Sequence, residues 1–271
     1  MKVSIIQMNI SPKKEDNLER AAALVRDAAA QGADIAVLPE MFCCEYTTSA
    51  FLSNCEPAGG LIWSTLSEAA KSSGIYLVGG TMPELCGEKM YNTGFVFDPD
   101  GAQIARHRKM HLFDIDVDGG QKFKESLTFT AGDEVTVFDT KFGKVGLIIC
   151  FDIRFPELSR LTALAGAEVI FCPAAFNMTT GPAHWELLFR GRACENQVFF
   201  CGCAPARDEN GRYVSYANSI VTSPWGAVLN RAGADETILT ADLDLNEVES
   251  IRKQLPLMSA RRTDIYSLEL K

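Results

Sequence analysis

Short apolar runs alternate with stretches of helical period along most of this chain, and that alternation limits its fold more than any other feature. Val3, Ile5, Ile6 and Met8 mark a first strand at about 3–8. Leu18, Ala21, Ala22, Val25, Ala28 and Ala29 then fall at helical spacing, with Gly32 as the stop. A buried strand, Ile35 to Leu38, ends at Pro39, and a second helical stretch runs from Leu61 to Ala70 and stops near Gly74. Strands follow at about 75–80, 92–98 and 102–107, the last two joined by the turn signal Asp98-Pro99-Asp100-Gly101. The second half repeats the theme: strands at about 135–138 and 144–149, a helix at 156–166, a strand at 168–172 and a helix at 183–195. Strands near 197–203, 218–223, 227–230 and 236–243 complete it. The pattern predicts an α/β protein of two similar β-α-β-α-β-β halves, with two stacked sheets flanked by helices. No sequence repeat accompanies it. No Pro/Gly/Ser-rich linker divides the halves, so the expectation is a single domain over 1–271. A polar, Gly-containing stretch at about 110–133 reads as a long functional loop. The tail from about 246 reads as a segment that could wrap a neighbouring subunit.

Composition narrows the function. The net charge is −9, which disfavours nucleic-acid and anionic-membrane partners. No segment approaches the ~20 apolar residues of a membrane span. The start, MKVSIIQMNISPKK, lacks the apolar core and cleavage site of a signal peptide. Nine cysteines without a Cys-x-x-Cys pair, in a chain of 271 residues, suit free thiols in a reducing cytoplasm. With three histidines and no zinc spacing, no metal site is expected. Dinucleotide, P-loop and Gly-x-Ser-x-Gly signatures are also missing. The reactive material left is thiol, carboxylate and amine.

One segment concentrates that material. The apolar run Val145-Gly146-Leu147-Ile148-Ile149 ends at Cys150, and a helix begins near Pro156. Sites in α/β sheets gather beyond the carboxyl ends of strands. A cysteine on such a turn can present its sulfur, and the backbone N–H of Phe151 just after it can face an oxyanion. A free thiol is only a few per cent ionised at neutral pH, so it needs a base or a cation. Glu40, just past another strand end, can take the thiol proton and later return it to a leaving amine. Lys109, after the strand at 102–107, can stabilise the thiolate and the oxyanion.

These residues carry a resemblance. Leu38-Pro39-Glu40, Arg108-Lys109-Met110-His111-Leu112-Phe113 and Gly146 through Glu157 resemble, in order, the three motifs of the nitrilase superfamily of carbon–nitrogen hydrolases. The likeness covers about residues 1–266. It implies an α-β-β-α sandwich that pairs into a homodimer, a Glu40–Lys109–Cys150 triad and no cofactor. It also implies a second carboxylate, Glu125 in Phe123-Lys124-Glu125-Ser126, that orients Lys109 and the substrate nitrogen. His111–Val117, Phe176–Leu188 and Ala204–Asp208 resemble the ω-amidase branch. That branch hydrolyses the small-molecule amides α-ketoglutaramate and α-ketosuccinamate to the 2-oxo dicarboxylate and ammonia. Asp118-Gly119-Gly120 departs from the Pro-Gly loop of many relatives, so substrate preference rests on less than reaction class does. A deaminated-glutathione amidase, a nitrilase and a non-catalytic binding protein of the same fold are the alternatives.

A 2-oxo acid substrate is anionic at its far end, so its pocket needs donors or cations. Arg154, Tyr46 and Thr179 are the candidates, with Arg154 also a possible structural partner of Asp152 or Glu157. Arg192, Glu195 and Asn196 read as structural pairing on a helix. His111 and His184 read as packing or loop histidines, and Phe176, Trp185 and Trp225 as core or interface aromatics.

Overall fold

The computed structural model describes residues 1–270; Lys271, the last residue of the expected single domain, lies outside them. In chain order the first half contains β1 (Lys2–Gln7), α1 (Lys14–Ala30), β2 (Ile35–Val37), α2 (Thr48–Asn54) and α3 (Leu61–Ser73). It continues with β3 (Tyr76–Val78), β4 (Met82–Cys86), β5 (Lys89–Phe97) and β6 (Gln103–Arg108), then a small ribbon of β7 (Asp114–Asp116) and β8 (Lys122–Lys124). The second half runs β9 (Thr136–Thr140), β10 (Gly143–Leu147), α4 (Pro156–Leu164), β11 (Val169–Pro173), α5 (Gly181–Asn196) and β12 (Phe199–Cys203). It ends with β13 (Ile220–Thr222), β14 (Val228–Arg231), β15 (Thr237–Asp242) and α6 (Asn246–Gln254).

Two mixed sheets result. The first has the order β15-β1-β2-β3-β5-β4, with β6 also on β5; the second has the order β14-β13-β12-β11-β10-β9. Each contains three parallel strands, β1-β2-β3 in one and β10-β11-β12 in the other, with antiparallel neighbours. Parallel strands need crossover helices, which cover the outer faces. The period-2 pattern assigns each residue to one layer. Ile5, Ile35, Val37, Val169 and Phe171 meet between the sheets. Their neighbours Ile6 and Ala36 pack under Leu18, Val25, Ile62 and Leu66 of α1 and α3. Ile170 and Cys172 pack under Leu158, Trp185 and Phe189 of α4 and α5. This is the α-β-β-α sandwich expected from the sequence.

The stretch at 110–133 is more structured than a loop. It folds into the β7–β8 ribbon, turned at Gly119 with φ 68°, and a short 3₁₀ turn over Glu125–Leu127. Two elements escape the periodicity. Helix α2 is seven residues long, started by the Thr47 hydroxyl accepting from the Ala50 amide. Strand β4 contains Pro83, which an edge position tolerates.

Candidate active site

The carboxyl ends of β2, β6 and β10 converge between the sheets and bring three distant residues together. Glu40 follows β2 through Leu38 and Pro39. Its turn is packed against Gly80, where φ is 60° and a Cβ would stand 2.2 Å from the Pro39 carbonyl oxygen. Lys109 follows β6 directly and is tied to β5, its amide donating to the Asn92 carbonyl at 2.9 Å. Cys150 opens a 3₁₀ turn beyond β10, in the left-handed region with φ 44°. Such a conformation is costly for a residue with a Cβ and points to a position held by its surroundings.

Asp152 supplies much of that hold. Its Oδ2 accepts from the Ile149 amide at 3.0 Å and lies 3.1 Å from His107 Nε2; its Oδ1 accepts from the His111 amide at 2.9 Å and lies 2.8 Å from His111 Nδ1. Burial alone would raise this carboxyl, but His107, His111 and the Ile149 amide hold it well below the usual range. From the other side, Arg192 Nε donates to the Ile153 carbonyl at 2.8 Å and Arg192 Nη2 to the Arg154 carbonyl at 3.2 Å. Arg192 also pairs with Glu195 at 3.0 Å. Of the helix residues read as structural, Arg192 therefore backs the cysteine turn, with Glu195 holding Arg192 and Asn196 bonded within the helix.

The charged centre is dry. Glu40 and Lys109 are each 1% exposed, Glu125 0% and Cys150 4%. Lys109 Nζ donates to Glu40 Oε1 at 2.9 Å and to Glu125 Oε2 at 2.8 Å. Asn92 Nδ2 bridges the same carboxylates, 2.8 Å from Glu40 Oε1 and 3.1 Å from Glu125 Oε1. Glu40 Oε2 accepts from the Ala175 amide at 2.8 Å, and Glu125 Oε2 from the Phe113 amide at 2.6 Å. Burial by itself would lower the Lys109 ammonium; Glu125 and Glu40 outweigh it and hold the group well above its usual value. Burial, opposed by Lys109 and reinforced by Glu40, raises the Glu125 carboxyl. The Cys150 thiol is raised well above the ordinary range by burial and by Glu40, with Lys109 opposing. Burial and Glu40 thus favour the protonated thiol over a stored thiolate. This arrangement suits base-assisted attack, in which the proton leaves as the sulfur bonds.

The remaining candidates divide. Phe151 lies in the first turn after Cys150, where amides have no intrahelical acceptor. Tyr46 reaches the cluster, but its hydroxyl donates to Glu40 Oε1 at 3.3 Å, so it holds the carboxylate. Arg154 pairs with neither Asp152 nor Glu157. Its Nη1 donates to His184 Nδ1 at 3.0 Å, and its guanidinium lies 4.6 Å from the Phe176 ring and 5.6 Å from the Phe151 ring. No described carboxylate neutralises it, so its charge is open to an anion. Thr179 is exposed and lines a shallow surface depression with Asn177 and Gln121, its amide donating to Asn177 Oδ1 at 3.0 Å. His111 stacks on Phe155, and Phe176 and Trp185 are buried. Trp225 is not in the core: it is 62% exposed, which leaves the interface reading for it.

Two contributors were not read from the sequence. Asn92, a polar residue in the strand Lys-Met-Tyr-Asn-Thr-Gly-Phe-Val-Phe, offered a signal, because a buried amide in an apolar strand needs partners. Tyr213 offered none. Its ring lies 4.7 Å from that of Tyr46, and its hydroxyl donates to the Ala175 carbonyl. It lines the cavity that reaches Glu40. Among the described residues no group of three or more His, Cys, Asp or Glu could hold a metal ion, and no helix is long and apolar enough to cross a membrane.

A cysteine on a strand-to-helix turn, faced by a dry carboxylate–ammonium pair inside an α-β-β-α sandwich, is the equipment of a thiol-dependent hydrolase. The chain belongs to the carbon–nitrogen hydrolase family, whose family model matches residues 2–253. Within that family it is similar to an omega-amidase of Xenopus laevis and to one of Mus musculus. Each is 49% identical over 270 residues, covering 100% of this chain and 98% of the relative. A crystal structure from Saccharomyces cerevisiae, of a member of branch 10 of the nitrilase superfamily, superposes with a TM-score of 0.89. It is 41% identical and covers 97% of this chain and 96% of the other. The likeness to ω-amidases expected from three short stretches thus extends along the whole chain.

Proposed function

We propose that this hydrolase removes the terminal amide of 2-oxo dicarboxylate monoamides, α-ketoglutaramate and α-ketosuccinamate, with Cys150 as nucleophile. The observation that carries the reading is the buried Glu40–Lys109–Glu125 cluster beside the Cys150 thiol; the full-length likeness to omega-amidases supports the substrate. Glu40 takes the thiol proton as sulfur attacks the amide carbon. The oxyanion gathers charge beside the Lys109 ammonium and the Phe151 amide. Glu40 returns the proton to the nitrogen, the C–N bond breaks and ammonia leaves a thioester. Water then gives a proton to Glu40 and its oxygen to the thioester carbon; the acid departs and Cys150 recovers the proton. Glu125 keeps Lys109 charged and aimed, and no cofactor takes part. Arg154 is the inner anchor for the substrate carboxylate. Tyr46 shapes the cavity and orients Glu40.

The same reading makes the chain one domain, since its inter-sheet core draws on both halves. It makes the protein a cytoplasmic homodimer, a reading supported by nine unpaired thiols and by apolar side chains left exposed at Leu187, Trp225, Ile265 and Tyr266. Sedimentation equilibrium tests the dimer.

The deciding assay is ammonia release from α-ketoglutaramate, with glutamine and a simple aliphatic nitrile as controls. Wild type should release ammonia from the keto-amide, and Cys150→Ala should lose turnover by at least about 10⁴-fold while keeping its circular dichroism. Release by the variant near the wild-type rate sinks the nucleophile. A folded, reduced wild type that releases none sinks the substrate.

A further inference from the structure

The cavity that reaches Glu40 opens between the turn after that residue and the loop 207–216. Its wall carries three charged side chains besides Glu40: Glu45, Asp208 and Arg212. Asp208 and Arg212 are exposed and Glu45 is half-buried, so these groups form the mouth. Asp208 is spent on the loop itself, its carboxylate accepting the Asn210 amide at 2.9 Å. The neighbouring Arg207 is also spent, with Nη2 donating to the Tyr216 carbonyl at 2.8 Å and Nη1 paired with Glu209 at 3.4 Å. Arg212 differs from both. Among the described residues it has neither an ion-pair nor a hydrogen-bond partner, and it lies where the cavity meets the depression lined by Gln121 and Asn177. Without Arg212 the mouth would present two carboxylates and no cation, in a protein of net charge −9.

We propose that Arg212 is a specificity-determining residue for anionic amides, countering Asp208 and Glu45 at the mouth by charge and without a fixed contact. This rests on the reading that the substrate carries a carboxylate. An exposed charge acts through water, so its effect is screened by salt. Arg154, half-buried on the cysteine turn, is the anchor that reading gives the same carboxylate, and its pull is less screened by salt. The two arginines therefore separate in one experiment.

The test compares wild type, Arg212→Gln, Arg212→Glu and Asp208→Asn on α-ketoglutaramate and on an uncharged aliphatic amide of similar length. For the anionic amide at ~0.01 M ionic strength, kcat/KM should fall about threefold in Arg212→Gln and about tenfold in Arg212→Glu. Asp208→Asn should raise it, and at ~1 M salt all four proteins should converge. The neutral amide should respond to none of these changes. A substrate-free arm uses alkylation of Cys150 by iodoacetate and by iodoacetamide, read by mass spectrometry of its peptide. Arg212→Glu should lower the iodoacetate-to-iodoacetamide rate ratio, and Asp208→Asn should raise it. Equal effects on charged and neutral probes, or effects that survive high salt, overturn the proposal. If wild type ignores α-ketoglutaramate while the alkylation ratio still follows the mouth charge, the substrate reading fails and the role of Arg212 stands.

Discussion

At the scale of single residues, the site is an exercise in burying charge without orphaning it. One ammonium faces two carboxylates, and the surplus negative charge is met by donors: the Asn92 amide, the Tyr46 hydroxyl and the backbone amides of Ala175 and Phe113. Breaking such a set costs more than building it gains, because the remaining member keeps its desolvation penalty. Glu125→Gln tests the balance. It keeps the shape, removes one of the two charges that hold Lys109, and should lower kcat about 10²-fold with little change in KM, since misplacement by about 1 Å costs that much. Steady-state ammonia release measures it; a kcat within twofold of wild type would leave Glu125 a purely structural acid.

At the scale of elements, each functional side chain sits just past the end of a regular segment. Glu40 depends on a turn that only a residue without a Cβ can support at Gly80. Gly80→Ala should cost about 2 kcal/mol of stability through its positive φ and the clash with the Pro39 carbonyl. It should also lower kcat by displacing Glu40. Urea unfolding and kinetics on the same preparation check both, and an unchanged kcat would show that the turn absorbs the methyl elsewhere. Helix α2 and strand β4 were illegible in the sequence for different reasons. A seven-residue helix is too short to establish a period, and Pro83 marks its strand as a non-strand to any local rule. The β7–β8 ribbon is held by three residue pairs and read as loop because its two strands are each three residues long.

At the scale of the molecule, Asp152 is where the two sheets are tied at the site. It follows β10 of one sheet and meets His107 on β6 of the other, both fully buried. Its carboxyl is depressed in the folded state, so its contribution is complete above the ordinary carboxylate pKa of about 3.9 and is lost as pH falls below it. Asp152→Asn should therefore be about 2 kcal/mol less stable than wild type at neutral pH. That gap should shrink once pH drops below about 4, as seen by chemical denaturation across a pH series. A gap that stays constant in acid would mean that the ionised carboxylate is not what joins the sheets.

The sequence alone determined the layers and the candidate reacting groups. Period 2 in the strands and period 3.6 in the helices are local consequences of backbone geometry, and they name the buried face of each element without reference to any other. The strand-end positions of Glu40, Lys109 and Cys150 were legible for the same reason, and their motifs gave the family. Only the tertiary structure decided what surrounds them. Asn92 joins the buried cluster and Tyr213 and Arg212 line its cavity from 52, 173 and 172 positions of chain away from Glu40. The charge state of the cysteine was decided there too. A thiol's pKa depends on burial and on carboxylates brought by other strands, and no local stretch of sequence carries that information.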